Sequence, residues 1–223
     1  MRKLSIAIDG PAGAGKSSVA KIIARRLGYT YLDTGAMYRA ITWLFLEKKA
    51  EKEALPQLAK ESAMTVAPAE GGIAISLGGR DVTPYLRTPE VSSHVSEVAA
   101  VPEVRKVLVD LQRAFAAEGG TVMDGRDIGT VVLPDADVKV FLTASPRTRA
   151  IRRYKEIHEK EPDLTLDDIE ENIRRRDEID STRETSPLRP ADDAVRLDNS
   201  DMTLEETAEA IISLCKKAGD GAC

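Results

Sequence analysis

The chain of 223 residues contains no apolar run approaching the ~20 residues of a membrane-spanning helix, so a membrane role is not expected. It has two cysteines, Cys215 and Cys223, both near the C-terminal end. That is too few, in the wrong arrangement, for a metal cluster or a disulfide framework. Cys215 is expected as a small apolar residue on a helix, and a reducing cytoplasm as the compartment. Basic excess is missing as well. The 32 Lys and Arg against 37 Asp and Glu leave a formal charge of −5, which argues against a surface that coats nucleic acid. Arg2 and Lys3 precede a short apolar run that stops at Asp9, so no signal peptide is expected. The two histidines, His94 and His158, receive no role.

What the chain does have is a globular composition, 42% hydrophobic and 31% charged, enough for one α/β domain with a subdomain or two. Its most informative segment is Gly10, Pro11, Ala12, Gly13, Ala14, Gly15, Lys16, Ser17, the pattern of a phosphate-binding loop. Leu4 to Asp9 before it is an apolar run of strand length. Ala20, Ile23, Ala24 and Leu27 after it mark one helical face. A strand, loop and helix in that order aim backbone N–H groups and the positive end of a helix dipole at one point, which suits a polyphosphate. Lys16 is expected at the β- and γ-phosphates, and the Ser17 hydroxyl on Mg²⁺.

Five short segments read as buried strands: Leu4 to Asp9, Tyr29 to Asp33, Thr121 to Asp124, Val138 to Leu142 and Ala194 to Asp198. With helical patterns between them they predict a three-layer α/β fold on a five-stranded parallel sheet, with ligands beyond the carboxyl ends of its strands. Helix starts are expected at Ser145-Pro146, at Pro102 and at the capping boxes beginning with Thr165 and Thr203. Gly28, Gly119-Gly120 and Gly219 are expected stops. From Met64 to Val82 the apolar period turns to two, with Gly71-Gly72 and Gly78-Gly79 between the runs. This predicts a small antiparallel meander, followed by a helix after Pro89. Residues 60–105 are thus expected as a substrate-side insert, with 1–59 and 106–223 as the core. Trp43 and Phe45 are expected to pack the apolar side of the helix that carries Arg39.

Two classes of phosphate-loop protein compete: a switch or motor that hydrolyses its nucleotide without an acceptor, and a kinase that hands the γ-phosphoryl to a second substrate. A guanine-recognising N-K-x-D segment is absent, and the strand ending Val122-Met123-Asp124 is followed by Gly125-Arg126, not by a second acid. A monophosphate and a triphosphate together carry about six negative charges, which arginines and Mg²⁺ must neutralise. Arg39, Arg105, Arg126, Arg152, Arg153, Arg176 and Arg183 are placed to do so. Arg176, Asp180 and Arg183, at i, i+4 and i+7, are expected on one helix face.

Four segments together carry a family resemblance: the loop from Gly10 through Ser18, Leu32-Asp-Thr-Gly-Ala-Met-Tyr-Arg39, Asp124-Gly-Arg-Asp-Ile-Gly-Thr-Val-Val132 and Arg176-Asp-Glu-Ile-Asp-Ser-Thr-Arg183. The chain resembles the bacterial cytidylate kinases over essentially its whole length, meander included. Adenylate kinases and the eukaryotic-type UMP/CMP kinases share the phosphate loop. They show Asp-Gly-Phe-Pro-Arg where this chain has Asp124-Gly-Arg-Asp127.

The resemblance implies ATP as phosphoryl donor, held by residues Gly10 to Ser18, and CMP or dCMP as acceptor. It implies Thr34, Arg39, Arg126 and Arg176 at the acceptor phosphate, Ser96, Arg105 and Asp127 at cytosine, and Tyr38, Asp180 and Arg183 at the sugar. A carboxylate accepting from the exocyclic amine, with Arg and Ser donating to N3 and O2, suits cytosine and penalises uracil. Lys16, Arg126, Arg152 and Arg153 are the implied catalytic set, the last two on a short lid over 152–165. Asp33 and Asp124 are left between contacting Mg²⁺ through water and orienting an arginine. Thr34 stands where some relatives have Ser, and Ser17-Ser18 where some have Gly-Thr, each keeping a hydroxyl. A monomer is expected.

Overall fold

A computed structural model describes residues 3–69, 72–157 and 164–220. Arg2, Gly71, His158, the lid residues Glu161, Pro162 and Asp163, and Cys223 lie outside the described residues.

The sheet forms from β1 (Ser5–Asp9), β2 (Thr30–Asp33), β6 (Thr121–Gly125), β7 (Val138–Thr143) and β8 (Val195–Asp198). Its order is β2-β6-β1-β7-β8, with every pair parallel. The expected strands are all present, with ends moved by a single residue. Central strands of a parallel sheet are covered on both faces, which is why they read as continuous apolar runs. Ile6, Ile8 and Val122 enter one core cluster; the alternating Ala7, Met123 and Leu32 enter the other.

The helices that cover those faces follow from the patterns. On the first face lie α1 (Lys16–Leu27) and α8 (Leu204–Asp220), which supply Ile23 and Ile211. On the second lie α2 (Thr34–Glu47), α3 (Leu55–Glu61) and α5 (Pro102–Ala116), with Ile41, Ala59 and Leu108. The chain leaves β1 for β2 on one side and later crosses to β7 on the other. The carboxyl end of β1 is therefore the switch point at which α/β sheets open a crevice.

The meander is antiparallel: β3 (Met64–Ala69) pairs with β4 (Gly72–Leu77), and β4 with β5 (Arg80–Asp81). Gly78 and Gly79 make the tight turn at φ 56° and 82°, values that glycine adopts without strain. Its Ile73, Ile75 and Leu77 join the second core cluster. Next comes α4 (Pro89–Val98), capped by the Thr88 hydroxyl on the Val91 N–H. Trp43 stacks on Tyr85 at 5.6 Å, with the Arg80 guanidinium 4.9 Å from the Trp43 ring.

On the far side run α6 (Pro146–Ile157) and α7 (Leu166–Thr182). The Thr165–Asp168 capping box forms, and Thr203 and Glu206 make the equivalent contacts at α8. Gly28 ends α1 in a left-handed turn as expected. One expectation needs correction. Gly219 does not stop α8, which runs on to Asp220; no left-handed turn forms there. Arg183 caps α7: its N–H still bonds the Ile179 carbonyl and its φ of −61° is helical, so its side chain keeps the face of Arg176 and Asp180, while its ψ of 140° turns the following chain extended. Among the described residues no helix is long and apolar enough to cross a membrane.

Candidate active site

The phosphate loop joins β1 to α1 at the switch point. Pro11, Ala12 and Ala14 are buried, whereas Gly13 and Ser18 are exposed. Gly10 cannot be replaced without moving backbone: a Cβ there would lie 1.9 Å from the Leu142 carbonyl oxygen of β7. Gly13 and Gly15 complete the loop in left-handed conformations. Lys16 is buried and donates to the Pro11 carbonyl at 2.8 Å. Burial and the neighbouring Arg126 push its ammonium down to about 7, against the pull of Asp124, Asp9 and Asp180.

The end of β6 is built by contacts across the sheet. Asp124 accepts from Ser17 Oγ at 2.9 Å through Oδ2 and from the Tyr31 hydroxyl at 2.7 Å through Oδ1. Burial and the nearby Asp33 raise Asp124 to about 6, with Lys16 opposing. The Thr34 hydroxyl donates to the Asp124 carbonyl at 2.7 Å. After Asp127 the backbone enters a π-helical turn, Ile128–Val132. Asp9 clamps that turn, accepting from the N–H groups of Ile128 and Gly129 at 2.7 Å each. The clamp fixes the direction in which Arg126 and Asp127 leave the strand.

Arg39, Arg126 and Arg176 converge in front of the phosphate loop. Arg126 Nε donates to Asp180 Oδ2 at 2.8 Å. Arg39 reaches from α2 to the Ser92 hydroxyl of α4 at 2.8 Å. Burial, then Arg176, with Arg87 and Arg126 beyond, bring Arg39 down to about 9. Burial and Arg126 also lower Arg176, whose Nε is buried with no hydrogen-bond partner among the described residues. Cations that depress one another in this way gain when an anion arrives.

Behind them lies a second cluster. Arg105 is buried on α5, donates to the Ala99 carbonyl at 3.0 Å and pairs with Asp127, also buried. Its guanidinium stands 5.3 Å over the ring of Tyr38. Arg183 Nη2 lies 3.9 Å from Asp127 Oδ1, so Arg183 adjoins the residues expected at the base as well as those expected at the sugar. Burial pushes the Tyr38 hydroxyl up to about 12, with Arg105 opposing. Ser96 is buried on α4, one turn before Ala99.

The two expected lid arginines lie on α6. Arg152 donates to Asn199 Oδ1 at 3.0 Å and to the Asn199 carbonyl at 2.6 Å. Arg153 pairs with Glu156 at 3.0 Å and adds to the positive field on Arg176.

Sequence reasoning missed several residues. Asn199, at the carboxyl end of β8, donates to the Ala14 carbonyl at 3.0 Å and so ties Arg152 to the phosphate loop. Buried Arg149 donates to the Ala12 carbonyl at 3.0 Å and grips Asp177 with both terminal nitrogens. Gln112, fully buried beside Tyr38, has an amide with no hydrogen-bond partner among the described residues. Position just past a parallel strand was the available signal for Asn199. Arg149 and Gln112 sit in helical patterns that read as ordinary. Asp33 turns out to cap α2 through the Ala36 N–H and to pair with Arg87 at 2.8 Å.

Comparisons with known proteins identify the family. A sequence model of the family described as cytidylate kinase matches residues 6–217. A cytidylate kinase of Bacillus licheniformis is 51% identical over 221 residues, covering 97% of each chain. One from Carboxydothermus hydrogenoformans is 48% identical over 220 residues, covering 97% of this chain and 99% of its own. An uncharacterized protein of Eubacterium ventriosum shares the fold, with a TM-score of 0.53 at 15% identity over 97% of this chain and 99% of that one. With a family match across nearly all of its length and relatives at about half identity, the chain belongs to the cytidylate kinase family.

Proposed function

We propose that this chain, a nucleoside monophosphate kinase by its family, passes the γ-phosphoryl of ATP directly to CMP or dCMP. The observation that carries the reading is the line of buried cations Lys16, Arg126, Arg176 and Arg39, running from the phosphate loop towards α4, in which Arg126, itself held charged by Asp180, depresses Lys16 and Arg176, and Arg176 depresses Arg39. Two polyanions end to end would relieve it. A hydrolysing switch has no use for its far half.

ATP phosphates lie along Gly10 to Ser18, with Lys16 moving from the Pro11 carbonyl to the β- and γ-phosphates. Thr34, Arg39, Arg126 and Arg176 hold the acceptor phosphate. An oxygen of that phosphate, already anionic near neutral pH, attacks the γ-phosphorus as the bond to the β–γ bridging oxygen breaks and ADP leaves. Positioning and charge neutralisation suffice, so no general base is assigned. Arg105 and Asp127, with Ser96, take the cytosine edge; Tyr38, Asp180 and Arg183 take the sugar.

Mg²⁺ neutralises charge on the β- and γ-phosphates when bound. A hydroxyl hydrogen-bonded to a buried carboxylate, beside phosphate oxygens, is a donor set that fits this hard cation. Ser17 would hold it directly and Asp124 through water. Arg152 and Arg153, on a lid over 152–165, close on the transferring group as the insert over 60–105 closes on CMP, which excludes water. We take the enzyme as a cytoplasmic monomer; the free, buried Cys215 suits a reducing compartment.

A panel of nucleoside monophosphates offered as acceptors with Mg·ATP tests this. CMP and dCMP are expected to be phosphorylated best and UMP much less. Equal use of AMP or GMP would contradict the base assignment.

A further inference from the structure

The hydroxyl of Tyr31 has no part in the chemistry above, yet it sits at its centre. Tyr31 pairs in register with Val122, one alternation short of Asp33 and Asp124, which face each other at the strand ends. All four share a sheet face. From there the phenol runs along the strand direction and donates to Asp124 Oδ1 at 2.7 Å. Its ring joins the apolar cluster of Ile23 and Val122, with the Lys21 ammonium 5.9 Å above it. Phenylalanine would fill that space equally well, so the hydroxyl is what the position adds.

The other carboxylate oxygen, Oδ2, accepts from Ser17 Oγ at 2.9 Å. A hydroxyl has one proton and two lone pairs. With its proton committed to Asp124, Ser17 turns its lone pairs outward, towards the phosphate loop's ligand. That commitment holds only while Asp124 keeps one orientation. Asp124 is buried, with Tyr31 on one oxygen and Ser17 on the other, so removing either donor frees the carboxylate to rotate.

We infer that Tyr31 is a positioning residue for the metal-nucleotide complex: its hydroxyl pins Asp124, and Asp124 orients the Ser17 hydroxyl to receive the cation on ATP. The inference rests on the Mg·ATP reading given above. Its reach is confined to the donor side, since the contacts of Tyr31 lie on β6 and α1 and not on α4 or α7.

The test compares wild type with Y31F. ATP affinity is measured by calorimetry without CMP, once with saturating Mg²⁺ and once with chelator, alongside CMP affinity and the melting temperature. In wild type Mg²⁺ is expected to tighten ATP binding. In Y31F that gain is expected to shrink about tenfold, which is ~1.4 kcal/mol. Metal-free ATP binding, CMP affinity and melting temperature are expected to stay close to wild type. In an S17A background, adding Y31F is expected to cost much less than it does in wild type, since only the contact of Asp124 through water is left to disturb. If Y31F does not fold, Y31L serves the same comparison.

An undiminished Mg²⁺ gain in the variant overturns the inference. So does a uniform weakening of ATP and CMP together with a large drop in melting temperature, because that marks Tyr31 as structural only. A wild type that binds ATP equally with and without Mg²⁺ overturns the Mg·ATP reading itself, and this inference with it.

Discussion

Arg126 at the end of β6 donates its Nε–H to Asp180 of α7 at 2.8 Å, while Nη1 turns back to the Gly125 carbonyl at 3.3 Å. A guanidinium held at two corners presents its remaining N–H groups in a fixed direction, which a lysine cannot reproduce. R126A is expected to lower kcat/KM at least ~10²-fold, and R126K to recover little of it. Steady-state kinetics check this; near-normal turnover in R126A would remove the residue from the site.

The same pair makes stability depend on pH. Burial disfavours an ionised Asp180, but Arg126 and its hydrogen bond, with Arg176 and Arg183, outweigh burial and hold the carboxyl below its ordinary value of 3.8. A folded-state value below the unfolded one stabilises the fold above the ordinary carboxylate range, and that contribution drains away as pH falls through the folded value. The melting-temperature gap between wild type and D180N is therefore expected to be constant from pH 6 to pH 8 and to close below about pH 4. Thermal melts across that range give the answer, and a gap that widens in acid would be the wrong sign.

Arg105 and Asp127 are both buried and paired, so each is costly without the other. R105A is expected to destabilise the fold by about 3–5 kcal/mol, since it leaves a buried carboxylate uncompensated. D127A is expected to relax the preference for CMP over UMP, read as the ratio of the two kcat/KM values. An unchanged ratio would detach Asp127 from base selection.

Asn199 links three elements: its amide braces the Ala14 carbonyl, its side-chain and backbone oxygens hold Arg152, and its N–H reaches the Thr143 carbonyl. N199A loses the first of these and the side-chain half of the second. It is expected to raise the KM for ATP about tenfold, in line with the loss of a charge-assisted bond, with little change in the KM for CMP. Equal rises in both would point to general loosening.

The central strands β1 and β6 were legible because strands buried on both faces have no polar alternation to blur them, and the meander because Gly78-Gly79 leaves few choices but a tight turn. The anion loop was legible because its chemistry is local. The residues that aim the site were not. Asp9 meets Ile128 across 119 positions, Tyr31 meets Asp124 across 93 and Asn199 meets Ala14 across 185. No spacing rule joins residues so far apart; only the folded sheet brings them together.

The most direct measurement follows the phosphorus itself. The protein is mixed with ATP radiolabelled at its γ-phosphorus, with and without CMP, and the label is traced. Expected is one labelled CDP for each ADP formed, inorganic phosphate at background, and almost no ADP without CMP. Label released as inorganic phosphate at the same rate whether or not CMP is present would contradict direct transfer between two nucleotides in one crevice.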